Sequence, residues 1–218
     1  MGIYNHKTTN HPVRVQFSDG SCTKYVYAAD GRKLREIHIT AVEGVYANMG
    51  QIKELTPAQT MATDTVDYAD NLVIRYMNLN EAGMHPKIEY HFDGGYMTLT
   101  PNPAYNPNPI AMNPYSVQYS SSYHYYIHDH QGNTILVMDD NDNIKQINHY
   151  YPYGGPWYYF STNQGFQPYK YNGKELDRVH GLDWYDYGAR RYDPAYCMFT
   201  QISFYRFFNF HLHRHFCP

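Results

Sequence analysis

Turn pairs carrying glycine cut this chain into short lengths, and that punctuation limits the folds open to it. Asp19-Gly20, Asp30-Gly31, Asp93-Gly94, Asn172-Gly173 and His180-Gly181 are spread along the sequence. Glycine enters φ > 0 without a Cβ clash, so each pair marks a tight reversal. Between them, side chains alternate with period two. Val13, Val15 and Phe17 alternate with Arg14 and Gln16, and Tyr25 and Tyr27 return after the first turn. Ile88, Tyr90 and Phe92 run into Asp93-Gly94-Gly95, and Tyr96, Thr98 and Leu99 come back. These are hairpin patterns. Stretches rich in Ala, Leu, Glu and Lys are absent, and the chain holds 26 Tyr. Tyr has a large apolar face and a hydroxyl that wants a partner, which suits a half-wetted sheet. The fold class is therefore mainly β: successive antiparallel hairpins with irregular loops.

Elsewhere the pattern weakens. Gly44 to Asp64 has no strong period and reads as an ordered loop or insertion, with one short helical turn at Thr56-Pro57-Ala58-Gln59. There Thr is a candidate N-cap, Pro sits at the first helical position, and Gln is placed for a capping box. Val66 to Tyr76 alternates again. Pro101 to Pro114 is rich in Pro and Asn, which forbids a central strand and favours a linker or surface loop. From Tyr119 the chain turns aromatic, and strands are expected at Tyr123 to Ile127, Ile135 to Met138 and Ile144 to Tyr151.

The stretch Tyr169 to Phe199 has the densest aromatic and glycine punctuation. In one strand, Leu182, Trp184 and Asp186 would share a face, with Asp183, Tyr185 and Tyr187 on the other. Gly188 breaks that run, and Tyr192-Asp193-Pro194 closes it, because Pro cannot donate to a ladder. Tyr171 to Leu176, Gly181 to Arg190 and Tyr192-Asp193-Pro194 together resemble the RHS repeat-associated core domain of large bacterial YD-repeat proteins. Tyr126 to Thr134 and His149 to Gly154 are similar to the same core, so the resemblance covers Tyr123 to Gln201. Phe17 to Ser21 with Tyr25 to Leu34 resembles a degenerate YD repeat, and also fits an ordinary hairpin.

The resemblance implies a β-strand shell around a C-terminal toxin or surface effector, and it supplies no active site here. It implies four parts: degenerate YD-repeat hairpins over 1–100, a Pro/Asn-rich linker or loop over 101–118, an RHS core segment over 119–202, and an aberrant tail over 203–218. Turn formers and strand aromatics, such as Gly20, Gly31, Asn133, Gly173, Trp184, Tyr187 and Gly188, would carry the role. RHS cores end in an aspartyl self-cleavage segment followed by the toxin. Neither has a counterpart here, and Asp193-Pro194 matches the family's upstream Tyr-Asp-Pro. The chain reads as a truncated, non-catalytic shell fragment. Its expected partners are the rest of a larger RHS polypeptide, or its toxin cargo, and other copies of itself. The alternative is a Tyr-rich sheet that binds carbohydrate or a protein partner.

No catalytic, cofactor-binding or metal-binding residue is assigned. His128-Asp129-His130 would place two His on one strand face, but spacing supplies no third ligand, and a turn-entry cluster fits better. Asp183, Asp186 and Asp193 lie at turns, where Asp serves backbone chemistry. His211, His213, His215 and Cys217 in the tail form a chemically reasonable zinc set. The abrupt change to Phe and His there reads instead as a broken frame. No phosphate loop, nucleophile elbow or Cys-x-x-Cys pair occurs. The formal net charge is −3 without a basic stripe, which argues against nucleic acid. Three Cys at wide spacing, Cys22, Cys197 and Cys217, make no disulfide framework. The sequence shows no signal peptide or apolar membrane span; the family implies a secreted or cell-surface location.

Overall fold

The computed structural model describes residues 1–6, 11–48, 50–76, 86–101 and 119–200. Eleven strands form one sheet in chain order, each antiparallel to the next. They are β1 (Gly2–Asn5), β2 (Pro12–Gln16), β3 (Cys22–Tyr27), β4 (Lys33–Ala41), β5 (Thr60–Ala69), β6 (Leu72–Tyr76), β7 (Lys87–Phe92), β8 (Gly95–Pro101), β9 (Tyr119–His128), β10 (Thr134–Asp139) and β11 (Ile144–Ile147). A second sheet of four strands follows: β12 (Glu175–Asp177), β13 (Trp184–Asp186), β14 (Arg191–Asp193) and β15 (Met198–Phe199). The described chain is thus mainly β, as its punctuation demands.

The turns fall where the sequence places them. Asn172 and Gly173 have φ of 50° and 63°, and His180 and Gly181 have 54° and 73°. Pro57–Gln59 is a 3-10 turn with Thr56 as its N-cap, and the Gln59 side chain accepts from the Thr56 N–H. Asn133 ties two turns together. Its amide donates to Asp129 at 2.7 Å, and its oxygen accepts from the Asn172 N–H at 2.8 Å. β8 and β9 pair from Pro101↔Tyr119 to Gly95↔Tyr125, so the large sheet continues on both sides of the Pro-rich stretch. Residues 102–118 and the tail 203–218 lie outside the described residues, and with them the tail His and Cys217.

Four local expectations are corrected. The loop after β4 ends at Gln59, because Thr60 to Thr65 is already strand and pairs with β4. Val66 to Tyr76 is two strands, reversed at Asp70, whose φ is 53°. The strand from Ile144 stops at Ile147. Asp183 has φ 51° and stands outside β13. The two faces of that region nevertheless separate. Leu182 and Trp184 join Val15 and Tyr25 in one apolar cluster. Tyr185 and Tyr187 join Leu176 and Tyr192 in another.

The largest departure concerns which face of the large sheet is covered. Arg14 and Gln16, the polar alternates of β2, are buried. The loop after β4 folds over them: Arg14 bonds Glu54, and Gln16 Oε1 accepts from the Lys53 N–H at 3.2 Å. Across β3 to β9 the register puts Tyr25, Glu36, Arg75, Glu89, Tyr96 and His124 on one face. That face is buried beneath the second sheet and the segment leading to it. The opposite face shows Val26, Tyr90, Tyr123, Tyr125 and Ile127 to solvent. Period two marks two faces and not which one is covered.

Candidate functional site

The covered polar face and the second sheet enclose a cavity of about 300 Å³. β4 brings Glu36 and His38 to its wall, since residues two apart in a strand share a face. Lys33, three residues before Glu36, joins that face because the β3–β4 register shifts between Val26↔Arg35 and Tyr27↔Lys33. Its Nζ lies 2.8 Å from Glu36, 3.1 Å from Glu175 and 2.6 Å from Asp186. β6 and β7 add Arg75 and Glu89, paired at 3.2 Å, and Arg75 also reaches Glu175 at 3.0 Å. Tyr68 donates to Glu175 at 2.9 Å. From the second sheet, Arg191 pairs with Asp186 and stacks over the Tyr25 ring at 4.7 Å.

These charges balance. Lys33, Arg75, Lys87 and Arg191 face Glu36, Glu89, Glu175 and Asp186. Burial works against the charge on Lys33, but Glu175 and Glu36 outweigh it and raise its pKa. Burial likewise opposes the Glu36 carboxylate, which Lys33 and His38 hold well below the usual range. A further carboxyl, Asp177, is raised well above its ordinary value by burial and by Glu36, so its neutral form is favoured. Burial lowers His38.

One contact has the outline of a nucleophile and its base. Thr23 Oγ1 lies 3.0 Å from His38 Nδ1, and His38 Nε2 lies 3.5 Å from Glu36. Thr23 is sealed at 0% exposure and does not line the cavity, so no carbonyl can approach its hydroxyl. The arrangement ties β3 to β4 within the large sheet and leaves no room for acyl transfer at Thr23.

Lys170 also lines the cavity. Its Nζ donates to Asn148 Oδ1 at 2.9 Å, and burial lowers its pKa from 10.5 to about 7. A lysine depressed in the folded state penalises folding below its folded pKa, and the penalty fades as pH rises towards the unfolded value. Lys170→Met should therefore stabilise the protein by roughly 2 kcal/mol near pH 6, with the gain shrinking from pH 7 towards 10. Gln164 still donates to Asn148 at 3.1 Å in that variant. Urea melts across that pH range measure the gain; a constant or negative difference would show that Lys170 stays charged when folded.

The sequence-marked residues take other places. Asp129 accepts from the N–H of Gln131 at 2.8 Å and of Asn133 at 2.9 Å, which is turn chemistry. Asp193 accepts from Trp184 Nε1 at 2.9 Å and caps its own turn through the Ala195 N–H. Asp183 pairs with Arg178 at 3.1 Å. Asp186 caps a turn through the Gly188 N–H and also enters the buried charge cluster. Sequence reasoning assigned no metal ligand. Among the described residues, the set brought within ligand distance is Glu36, His38 and Asp177. Its sequence signal is the Lys33, Glu36, His38 polar run inside an otherwise ordinary strand.

No family model and no curated protein matches the sequence. Solved structures do. The crystal structure of TcdB2-TccC3-TEV aligns with a TM-score of 0.61 at 20% identity over 88% of this chain. The Tc holotoxin pore of Photorhabdus luminescens, carrying a TccC3 mutation, aligns with a TM-score of 0.63 at 20% identity over 90% of this chain. The likeness is one of fold. The chain spans 8% of the length of each of those chains. Among the described residues, no helix is long and apolar enough to cross a membrane.

Proposed function

We propose that this chain is a wall segment of an RHS/YD-repeat type shell, a non-catalytic scaffold part whose full-length context encloses or presents a toxin or effector. In this reading 1–100 supplies YD-type hairpins, 101–118 a linker, and 119–202 the RHS core segment that folds back over them. The supporting observation is the fold likeness to TcdB2-TccC3 along nearly the whole chain, combined with a charge-sealed face between the two sheets. The partners in this reading are the remainder of a longer shell polypeptide and its cargo, in a secreted or cell-surface setting.

A wall segment needs neighbours at its edges. β11 is capped: Thr162 bridges Ile147, and Asn163 Nδ2 donates to the Lys145 carbonyl at 2.8 Å. β1 is the other terminal strand of the sheet, paired with β2. Unpaired edges recruit strands, and charge blunts them. Light scattering over a dilution series should show self-association that Gly2→Lys reduces. A concentration-independent monomer would mean that the segment closes on itself, and the wall reading would fall.

A second reading, an aromatic binding module, has its own observation. Trp157 stacks on Tyr151 at 5.3 Å and meets Phe160 edge-on at 4.7 Å, all three substantially exposed. Saturable glycan binding abolished by Trp157→Ala would favour this reading over the wall.

A further inference from the structure

Three atoms of metal-ligating type converge on the cavity wall. Glu36 and His38 stand on one face of β4, and Asp177 ends β12 beside them. One ligand atom from each lies within 4.8 Å of the other two. His38 Nε2 and Glu36 Oε1 are 3.5 Å apart, long for a hydrogen bond. That spacing matches two ligands of one tetrahedral zinc, since bonds of about 2.0–2.1 Å place neighbouring ligand atoms about 3.4 Å apart.

The other polar atoms of these side chains are engaged in ways that orient them. His38 Nδ1 meets Thr23 Oγ1 at 3.0 Å, which leaves Nε2 turned to the carboxylates. Glu36 Oε2 accepts from Lys33 at 2.8 Å and lies 3.1 Å from the Tyr68 hydroxyl, which leaves Oε1 towards His38. Asp177 is held by the Val179 N–H at 3.0 Å and by Tyr25 at 3.3 Å. Partners of this kind fix ligand direction in metal sites. All three residues line the cavity, so a water can reach a fourth position.

We propose that Glu36, His38 and Asp177 bind one divalent transition-metal ion, zinc foremost, which clamps β12 of the second sheet to β4 of the first. Binding would release the proton that Asp177 holds without metal, and one imidazole with two carboxylates suits zinc better than magnesium, which prefers oxygen ligands alone. The clamp is independent of the wall reading: it concerns how the two sheets are joined, whatever the assembly does.

The test must separate this site from the tail, whose His211, His213, His215 and Cys217 are residue types that zinc also takes. The full chain carrying His211→Ala, His213→Ala, His215→Ala and Cys217→Ser is stripped with chelator and titrated with zinc. Calorimetry should give one equivalent, and elemental analysis should retain it after desalting. Cobalt in place of zinc should give visible absorption of a tetrahedral ion. Adding His38→Gln should abolish all three signals, while Thr23→Val, which leaves every ligand in place, should weaken zinc affinity about 10-fold or more. Metal-free melting temperatures of the variants establish that each is folded. If the tail-substituted chain binds no zinc, or binds it equally with His38→Gln, the proposal is wrong. Should His38→Gln fail to fold, zinc affinity unchanged by Thr23→Val is the result that overturns it.

Discussion

Lys33→Ala should cost the fold about 3–5 kcal/mol, a large share of the roughly 5–15 kcal/mol that stabilises a typical domain. Among the described residues, Lys33 is the one cation that touches Glu36, Glu175 and Asp186 together. Its removal strands the negative charge of Glu36, while Glu175 and Asp186 keep only Arg75 and Arg191. The loss comes mainly from that stranded negative charge, because an intact buried pair is nearly neutral against an apolar replacement. Arg35→Ala provides the contrast. Arg35 also holds a carboxylate, Asp67, at 2.7 Å, but its side chain is 50% exposed. An exposed pair of that kind contributes about 0–1 kcal/mol. Urea melts of both variants at neutral pH decide the matter. Equal losses would mean that water reaches the Lys33 cluster as freely as it reaches the exposed Arg35–Asp67 pair.

Gly154→Ala should be nearly as damaging, although it adds one methyl group to a turn whose residues Tyr151 to Tyr153 are exposed. Gly154 has φ +84°, and a Cβ there would lie 2.4 Å from the ring of Tyr171. The left-handed backbone alone costs an L-residue about 1–2 kcal/mol. The overlap adds a repacking cost of about 1–3 kcal/mol, because Tyr171 packs against the buried Leu176, Tyr185 and Tyr192 cluster. The turn is also held from below. Tyr185 donates to the Gly154 carbonyl at 2.9 Å, and Tyr192 donates to that of Tyr153 at 3.0 Å. A drop in melting temperature of several degrees is expected, and Gly165→Ala, where a Cβ meets open space, should leave it almost unchanged. A Gly154→Ala protein as stable as the parent would show that the turn can slide off the Tyr171 ring.

The hairpins were legible in the sequence because their causes are local. Asn172-Gly173 and His180-Gly181 reverse the chain by their own backbone preferences, and Asp93-Gly94-Gly95 does so between β7 and β8. The covered face was not legible, because its cause lies far along the chain. Glu36 and Glu89 look like the solvent side of amphipathic strands until Glu175, Asp186 and Arg191 arrive from the second sheet. The Lys33–Glu175 contact joins residues 142 apart, and no period or motif announces it. Arg14 and Gln16 were missed for the same reason, since the covering loop carries no pattern of its own. Asp186 was noticed as a turn former, which it is, and its second role depends on Lys33.

The order of the strands has a consequence for how the chain is made. Each strand of the large sheet pairs with the one synthesised just before it, so the ladder can grow hairpin by hairpin as the chain leaves the ribosome. The closing sheet cannot join until the last described quarter has emerged, because Tyr25 awaits Asp177, 152 residues later. An apolar face left open for that interval would be a trap for other strands and for chaperones. A face of Lys, Glu, Arg and His tolerates the delay, since each charge remains hydrated until its partner arrives. The desolvation cost is met only once, at the final docking, when every opposing charge is present together. Polarity on the covered face is thus a solution in time as well as in space.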